Sequence, residues 1–371
     1  MGRAAGDERA NWSGCLRSPL TGRLSDRRRT MLANDTVVVL VRVVKPSWEG
    51  RVALIGHQDI ATFAVARVNL PKADADKHRD QVRALRERLE RKIAADPSFD
   101  LIKMLHAGSV AKGTALRTVN DLDVAVYVKA GSAPKADGEL QPWLAERLAE
   151  ANPNMSADQF TAQDHCVTVS YKGSGLDVDV VPVLYEGDPQ DCGYLVRKHS
   201  GVRVLTSIPL HLEFIRTRKT KYGKDFAQLI RLVKWWKRQE TNRDTDFRFK
   251  SFLIELLWAR LADDGYAIGD YHEALEEFFT YIVKSGLSER IAFTDYYASG
   301  KLPGPTGSAI EVFDPVNPEN NVATNYDGKD RQRIVEAAAR ALDALGEARY
   351  STTKGDTVEC WQEVLGPSFQ G

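Results

Sequence analysis

Two aspartates one residue apart, Asp121 and Asp123, constrain the fold of this chain more than any other feature of its sequence. They lie in the run DLDVAVYV, where Leu122 and three valines alternate with polar, small or aromatic residues. This period of two is that of a β-strand, so both carboxylates are expected on one face. Two like charges ~4 Å apart repel by about 4 kcal/mol near a protein surface. The pair therefore favours a bound divalent cation.

A glycine and a serine precede this strand. Gly108 and Ser109 follow the apolar run LIKMLH, and we expect them to end one strand and begin a short helix. Free backbone amides and a small hydroxyl at a helix start can bind a polyphosphate. The segment GSVAKGT is not a Walker P-loop, because no lysine follows its second glycine, Gly113. Taken alone, the pattern fits an ordinary turn equally well.

A second pair of aspartates offers a third acid. Asp177 and Asp179 lie in LDVDVVPVLY, which also alternates, and a KGSG turn joins it to the alternating run HCVTVSY. This pattern is typical of a β-hairpin. Either aspartate would complete with Asp121 and Asp123 the triad that holds two Mg²⁺ ions about 3.5–4 Å apart. A solvated strand face is the alternative, and periodicity does not choose between Asp177 and Asp179.

The segment GSVAKGTALRTVNDLDV resembles the signature of oligoadenylate synthetases and of the bacterial cGAS/DncV-like nucleotidyltransferases (CD-NTases). The resemblance implies an α+β fold with a polymerase-β-like nucleotidyltransferase palm and a C-terminal helical lobe like that of oligoadenylate synthetases. In these families the third acid stands three residues before a proline, which fits Asp179 with Pro182. The resemblance thus implies that Asp121, Asp123 and Asp179 are catalytic and bind two Mg²⁺ ions, with Mn²⁺ as an alternative.

A basic helix in the second half adds candidate phosphate contacts. In DFAQLIRLVKWWKRQ the apolar residues recur at helical spacing, while Arg231, Lys234 and Arg238 form a basic stripe on another face. A solvated face would explain this stripe without any function. The resemblance, however, matches Arg231 and Lys234 to the residues that hold the triphosphate in the family.

The next helical segment, FRFKSFLIELLWARL, contains the last two candidates. The resemblance assigns Ser251 to the phosphates and Phe252 to base stacking, where relatives often carry tyrosine. A helix N-cap and a core aromatic are the alternative interpretations. The predicted nucleotide-binding residues are therefore Gly108, Ser109, Arg231, Lys234, Ser251 and Phe252.

Length and composition indicate two globular domains. The chain has 371 residues, of which 43% are hydrophobic. We expect an N-terminal extension over residues 1–55, the palm with a long spine helix over 56–205, and the helical lobe over 206–371. Residues 1–30 are rich in arginine and lack the apolar core of a secretion signal. No apolar run approaches the about 20 residues of a membrane span. The four cysteines do not show metal-site spacing, so we expect free thiols in a reducing cytoplasm.

Within the CD-NTases the chain is most similar to the branch called clade C. The similarity lies in the runs VARVNLPKADA, GLDVDVVPVLY, IPLHLEFI, DPVNPENNVA and WQEVLGPSFQG. It implies a cyclic oligonucleotide synthase of bacterial antiphage (CBASS) signalling that makes a cyclic oligoadenylate from ATP. It further implies cyclic tri-AMP as the product and a HORMA-domain protein as the activator. Residue spacing alone carries none of these finer implications.

Three alternatives share part of the pattern. A linear oligoadenylate synthetase would need a broad basic surface for duplex RNA, and 51 Lys and Arg balanced by 51 Asp and Glu disfavour one. Long nucleic acid is therefore not expected to be required for catalysis. A tRNA-type or small-molecule nucleotidyltransferase would use the same palm. A nucleotide-binding scaffold that has lost catalysis is disfavoured by the intact acids.

Overall fold

The computed structural model describes residues 54–95, 100–119, 121–136 and 138–371. Within these ranges the chain forms one seven-stranded sheet and ten α-helices. The predicted N-terminal extension lies outside the described residues except for Leu54 and Ile55. Among the described residues, no helix is long and apolar enough to cross a membrane.

The sheet is built mainly from the alternating runs of the sequence. Its order is β1-β2-β5-β4-β3, with β6 paired to β5 and β7 paired to β6. The central strands β2 and β5 are parallel, and the other pairs are antiparallel. The strands are β1 Leu101–His106, β2 Asp121–Lys129, β3 Phe160–Ala162, β4 Val167–Tyr171, β5 Leu176–Tyr185, β6 Gly193–Val196 and β7 Arg203–Thr206.

Four helices accompany the sheet in the first half of the chain, and six follow it. The first four are α1 His57–Phe63, α2 Lys72–Ala95, α3 Gly108–Lys112 and α4 Leu140–Ala151, with a π-helical turn Ala64–Val68 after α1. The other six are α5 Ile208–Tyr222, α6 Lys224–Arg243, α7 Ser251–Asp263, α8 Tyr271–Ser285, α9 Gly328–Tyr350 and α10 Lys354–Leu365.

Two main hydrophobic cores correspond to the palm and the helical lobe. The palm core joins β2, β4 and β5 to α4 and to the spine helix α2, which contributes Val82, Leu85 and Leu89. The second core lies among the later helices and encloses Trp236 and Trp258. Burial of these large side chains is the main force that holds each lobe together.

The first described residues pack against helices that lie far away in the sequence. Ile60 and Phe63 of α1 and Val68 of the π-helical turn are buried in the helical-lobe core. The spine helix α2, which follows them, packs on the palm core. The segment that we assigned to the palm thus contributes to both cores, and the domain boundaries at residues 55 and 205 stay a prediction.

Candidate active site

The three predicted acids lie on the two central strands. Asp121 and Asp123 begin β2, and Asp179 lies on β5. The parallel register places Asp123 opposite Asp179 and Asp121 opposite Asp177. Burial, followed by the charges of Asp121 and Asp179, raises the pKa of Asp123 to about 6. Asp179 lies opposite Asp123, and its charge raises the pKa of that carboxyl. This position favours Asp179 over Asp177 as the third acid.

A threonine holds the Asp179 carboxylate in place. Thr168 lies opposite Asp179 in the β4–β5 hairpin. Its Oγ1 donates a hydrogen bond of 2.7 Å to Asp179 Oδ1. A carboxylate held in this way keeps one rotamer and can present its other oxygen to a ligand. Thr168 is not among the residues predicted from the sequence, although the KGSG turn, once located, fixes which residues of the two strands face each other.

Gly108 brings the Gly-Ser turn directly against the acids. Its φ is +63°, in the left-handed region, and a Cβ built on it would lie 1.7 Å from Asp123 Oδ2. The backbone N–H of Ala107 also donates to the carbonyl of Asp123 at 2.8 Å. Only glycine meets both requirements. The predicted order, a strand that ends at a glycine followed by a short helix, is therefore what the structure shows.

The carboxylate cluster fits a hard divalent cation. Mg²⁺ prefers oxygen ligands and is usually bound through one or two carboxylates together with substrate phosphates. Burial, followed by repulsion from the other acids, raises the pKa of Asp123, and a bound cation would offset both effects. Across the described ranges, no group of three or more His, Cys, Asp or Glu side chains is arranged so that it could hold a metal ion by itself. The acids thus supply one side of a site that substrate oxygens would complete.

Only part of the predicted basic stripe on α6 faces solvent. The Lys234 side chain is 4% exposed. Its Nζ donates to Glu255 Oε1 at 2.6 Å and to the hydroxyl and carbonyl of Thr114 at 2.9 and 3.3 Å. The alternative interpretation, a solvated face, does not hold for Lys234, because α7 and the segment after α3 cover that side of the helix. Arg238 does remain exposed.

Arg231 is also engaged within the protein. Its Nε donates to Asn69 Oδ1 at 2.9 Å, and its terminal nitrogens donate to Gln228 Oε1 at 2.7 Å and to the Gly113 carbonyl at 2.5 Å. A guanidinium has five N–H donors, so two remain for a ligand. An ammonium has three donors, and those of Lys234 are all in use.

Cations of the second lobe hold the end of α3. The carbonyls at a helix C-terminus lack partners within the helix and carry a partial negative charge. Here three successive carbonyls each accept a hydrogen bond from a cation, Lys112 from Lys219, Gly113 from Arg231 and Thr114 from Lys234. These bonds attach the helix that begins with Gly108 and Ser109 to α5 and α6.

Two functional candidates that our sequence analysis did not include lie beside Phe252. Lys112 Nζ donates to Glu255 Oε2 at 2.8 Å and lies 4.6 Å from the centroid of the Phe252 ring. Burial raises the pKa of Glu255, but Lys112 and Lys234 outweigh it and hold that pKa well below its usual value. A single acid in the apolar run SFLIELLW is the sequence signal that points to Glu255.

Phe252, the predicted base-stacking residue, also lies beside His211 and a cavity. The ring of His211 lies 5.5 Å from that of Phe252, and its Nε2 is 2.7 Å from Asp314 Oδ1. A cavity of about 210 Å³, lined in part by Arg197 and Lys250, adjoins Phe252. Ser251 begins α7 and is exposed, as the predicted phosphate contact requires.

A larger cavity lies away from these residues. It measures about 610 Å³ and is lined by Asp100, Lys129 and Glu186, among others. Lys129 ends β2, whereas the predicted acids begin it. The larger cavity thus lies at the opposite end of β2 from the place where the acids, Gly108 and Lys112 come together.

Comparisons with known proteins identify the family of the chain. Residues 57–199 match the family model of the SMODS domain, the Second Messenger Oligonucleotide or Dinucleotide Synthetase domain. The chain is 48% identical over 317 residues to the cyclic AMP-AMP-AMP synthase of Escherichia coli strain MS 115-1. That match covers 85% of this chain and 98% of the relative.

Solved structures give the same result. The structure of E. coli MS115-1 CdnC with ATP is 48% identical, with a TM-score of 0.80 over 86% of this chain and 100% of that one. The complex of the same CdnC with HORMA-deltaN matches 85% of this chain and 99% of that one, with the same identity and TM-score. The predicted polymerase-β-like α+β fold is thus confirmed, and the chain belongs to the CD-NTase family.

Proposed function

We propose that the chain is a metal-dependent cyclic oligonucleotide synthase that joins ATP into cyclic tri-AMP, a second messenger of bacterial antiphage signalling. The observation that carries the proposal is the convergence of Asp121, Asp123 and Asp179 on the Gly108 turn. It occurs in a chain that matches 98% of a cyclic AMP-AMP-AMP synthase at 48% identity. We also propose a cytoplasmic location, where ATP is present.

The acids would supply the metal site. Asp121, Asp123 and Asp179 would hold two Mg²⁺ ions, which when bound neutralise charge on the reacting phosphate and its leaving group. Asp179, oriented by Thr168, would accept the proton of the 3′-hydroxyl that attacks the α-phosphate of ATP. The bond from the α-phosphate to the β-phosphate then breaks, and pyrophosphate leaves.

The remaining predicted residues would hold the donor nucleotide. Ser109 and Ser251 offer hydroxyls to the triphosphate, Arg231 has two free donors for it, and Phe252 offers a ring to the adenine. A direct contact from Lys234 stays a prediction, because its donors are used within the protein.

A cyclic product sets a further requirement on the cleft. The linear intermediate must leave, reverse and bind again with its own triphosphate in the donor site. We propose that a HORMA-domain protein activates this cycle. A partner can do so only by binding the active conformation more tightly than the inactive one. The CdnC relative has been solved in complex with a HORMA protein, which supports this part of the proposal.

Synthesis from labelled ATP tests the function. With Mg²⁺, the HORMA partner and ATP alone, we expect pyrophosphate release and a product of three AMP units that resists phosphatase. Without the partner we expect low synthesis. A product with terminal phosphates would instead indicate a linear synthetase, and absence of pyrophosphate with the partner present would indicate a scaffold. A requirement for a second nucleotide would contradict cyclic tri-AMP.

Asp177 and Asp179 form a matched pair of variants on one strand face. We expect Asp179→Asn to reduce the rate of synthesis at least ~10²-fold, because it removes a metal ligand and the proton acceptor. Asp177→Asn removes the same charge two residues away and should leave the rate within about twofold. Rates of pyrophosphate release measure both. Equal losses in the two variants would contradict the assignment of Asp179.

A further inference from the structure

A buried carboxylate joins two lysines beside the proposed nucleotide site. Glu255 is 2% exposed. It accepts hydrogen bonds from Lys112 at 2.8 Å, from Lys234 at 2.6 Å and from the Thr114 hydroxyl at 2.8 Å. Two ammonium groups and one carboxylate leave the cluster with one excess positive charge. The proposed chemistry does not account for this cluster, and only Lys234 among its members was predicted from the sequence.

The two lysines differ in their exposure to solvent and in how many of their hydrogen-bond donors are in use. Lys234 has an almost fully buried side chain, and its three donors are occupied. The Lys112 side chain is 11% exposed, and its ammonium makes one hydrogen bond, to Glu255, and contacts the Phe252 ring. Lys112 therefore retains donors that a ligand can use. The excess charge of the cluster is available at Lys112.

Lys112 also lies close to the other parts of the proposed site. It is the last residue of α3, the helix that begins with Gly108 and Ser109. Its charge and that of Glu255 both act on the Asp123 carboxylate. A triphosphate that extends from the acids toward Phe252 would thus pass this ammonium.

We propose that Glu255 is a positioning residue that fixes Lys112 beside Phe252, and that Lys112 is a cation that contacts the donor triphosphate. Lys234 acts behind it as the buried counter-charge that keeps Glu255 ionised. This inference rests on the proposed function, since it assigns residues to the donor nucleotide of that reaction. It predicts that loss of Glu255 impairs ATP binding through Lys112.

Lys112→Gln is the decisive variant, because it leaves the Glu255–Lys234 pair neutral and intact. We expect the Kd for Mg·ATP to rise at least tenfold, with a melting temperature within about 3 °C of the wild type. Glu255→Gln keeps the shape but leaves two unpaired ammonium groups. We expect at least the same loss of affinity and a lower melting temperature. In both variants KM should change more than kcat.

A double variant and a control make the test specific. If Glu255 acts through Lys112, Lys112→Gln adds less than about twofold to the Kd of Glu255→Gln. Asp191→Asn breaks another lysine–acid pair, with Lys103, and should leave the Kd unchanged. This control measures what loss of a partly buried pair does by itself.

Three results would overturn the inference. They are an unchanged Kd in Lys112→Gln, tighter ATP binding in Glu255→Gln, and additive losses in the double variant. Tighter binding would mean that Glu255 competes with the triphosphate for the lysines. If Glu255→Gln does not fold, Lys112→Gln alone decides. Wild-type product formation is scored separately, so a wild type that binds ATP without synthesis contradicts the proposed function and not this inference.

Discussion

Replacing Asp121 and Asp123 together by alanine is expected to abolish product formation and to stabilise the metal-free protein. Synthesis stops because the metal site loses two of its three acids. Stability rises because the pKa of Asp123 is about 6 in the folded protein and 3.8 as the ordinary value. The folded state therefore disfavours the ionised form of Asp123, first through its burial and then through the charges of Asp121 and Asp179, and the double variant removes this cost.

The sign and size of this effect follow from proton linkage. Between pH 3.8 and about 6 the folded state holds more protons than the unfolded state, so stability falls as the pH rises through this window. Above pH 6 the full penalty is present, and it amounts to at most roughly 3 kcal/mol. Because alanine also leaves a small cavity, we expect a net gain of about 1–2 kcal/mol at pH 7.5.

Thermal unfolding in a chelator checks this prediction. The variant should have the higher melting temperature at pH 7.5. Below pH 3.8 the wild-type carboxylate is protonated in both states, so only the cavity cost remains and the difference should reverse in sign. Added Mg²⁺ should raise the melting temperature of the wild type only. Asp177→Asn serves as the control and should show a smaller gap. A double variant that is less stable than the wild type at pH 7.5, or that still makes product, contradicts the prediction.

The palm half of the site was predictable because its signals are local. Period-two alternation predicted β2 and β5. The KGSG turn predicted the hairpin in which β4 ends at Tyr171 and β5 begins at Leu176. Side-chain direction in a strand follows from the sequence alone, so the shared face of the acids followed as well. The choice of Asp179 needed the resemblance and then the register between β2 and β5.

The basic part of the site was less predictable because tertiary packing defines it. Lys112 and Glu255 are 143 residues apart in sequence, and no local pattern brings them together. Helical periodicity placed Lys234 on a polar face of α6, but it cannot show that α7 covers this face. The same holds for α1, whose apolar residues pack on helices more than 100 residues later in the chain.

Gly108→Ala is expected to remove most synthetic activity while the chain still folds. The new Cβ would lie 1.7 Å from Asp123 Oδ2, so this carboxylate must rotate away from the place where it meets Asp121 and Asp179. An alanine at a φ of +63° also costs about 1–2 kcal/mol in backbone strain. We expect the rate of pyrophosphate release to fall at least ~10²-fold. Mg²⁺ should no longer raise the melting temperature.

Gly175→Ala separates backbone strain from displacement of the acid. Gly175 lies in the KGSG turn with a similar φ of +67°, and a Cβ there would meet nothing within 4 Å. This variant should therefore lose about 1–2 kcal/mol of stability and keep its rate of synthesis. If both alanines reduce the rate equally, strain would explain the loss. If Gly108→Ala keeps the rate, the close approach to Asp123 has no part in catalysis, because the carboxylate can then serve from another rotamer.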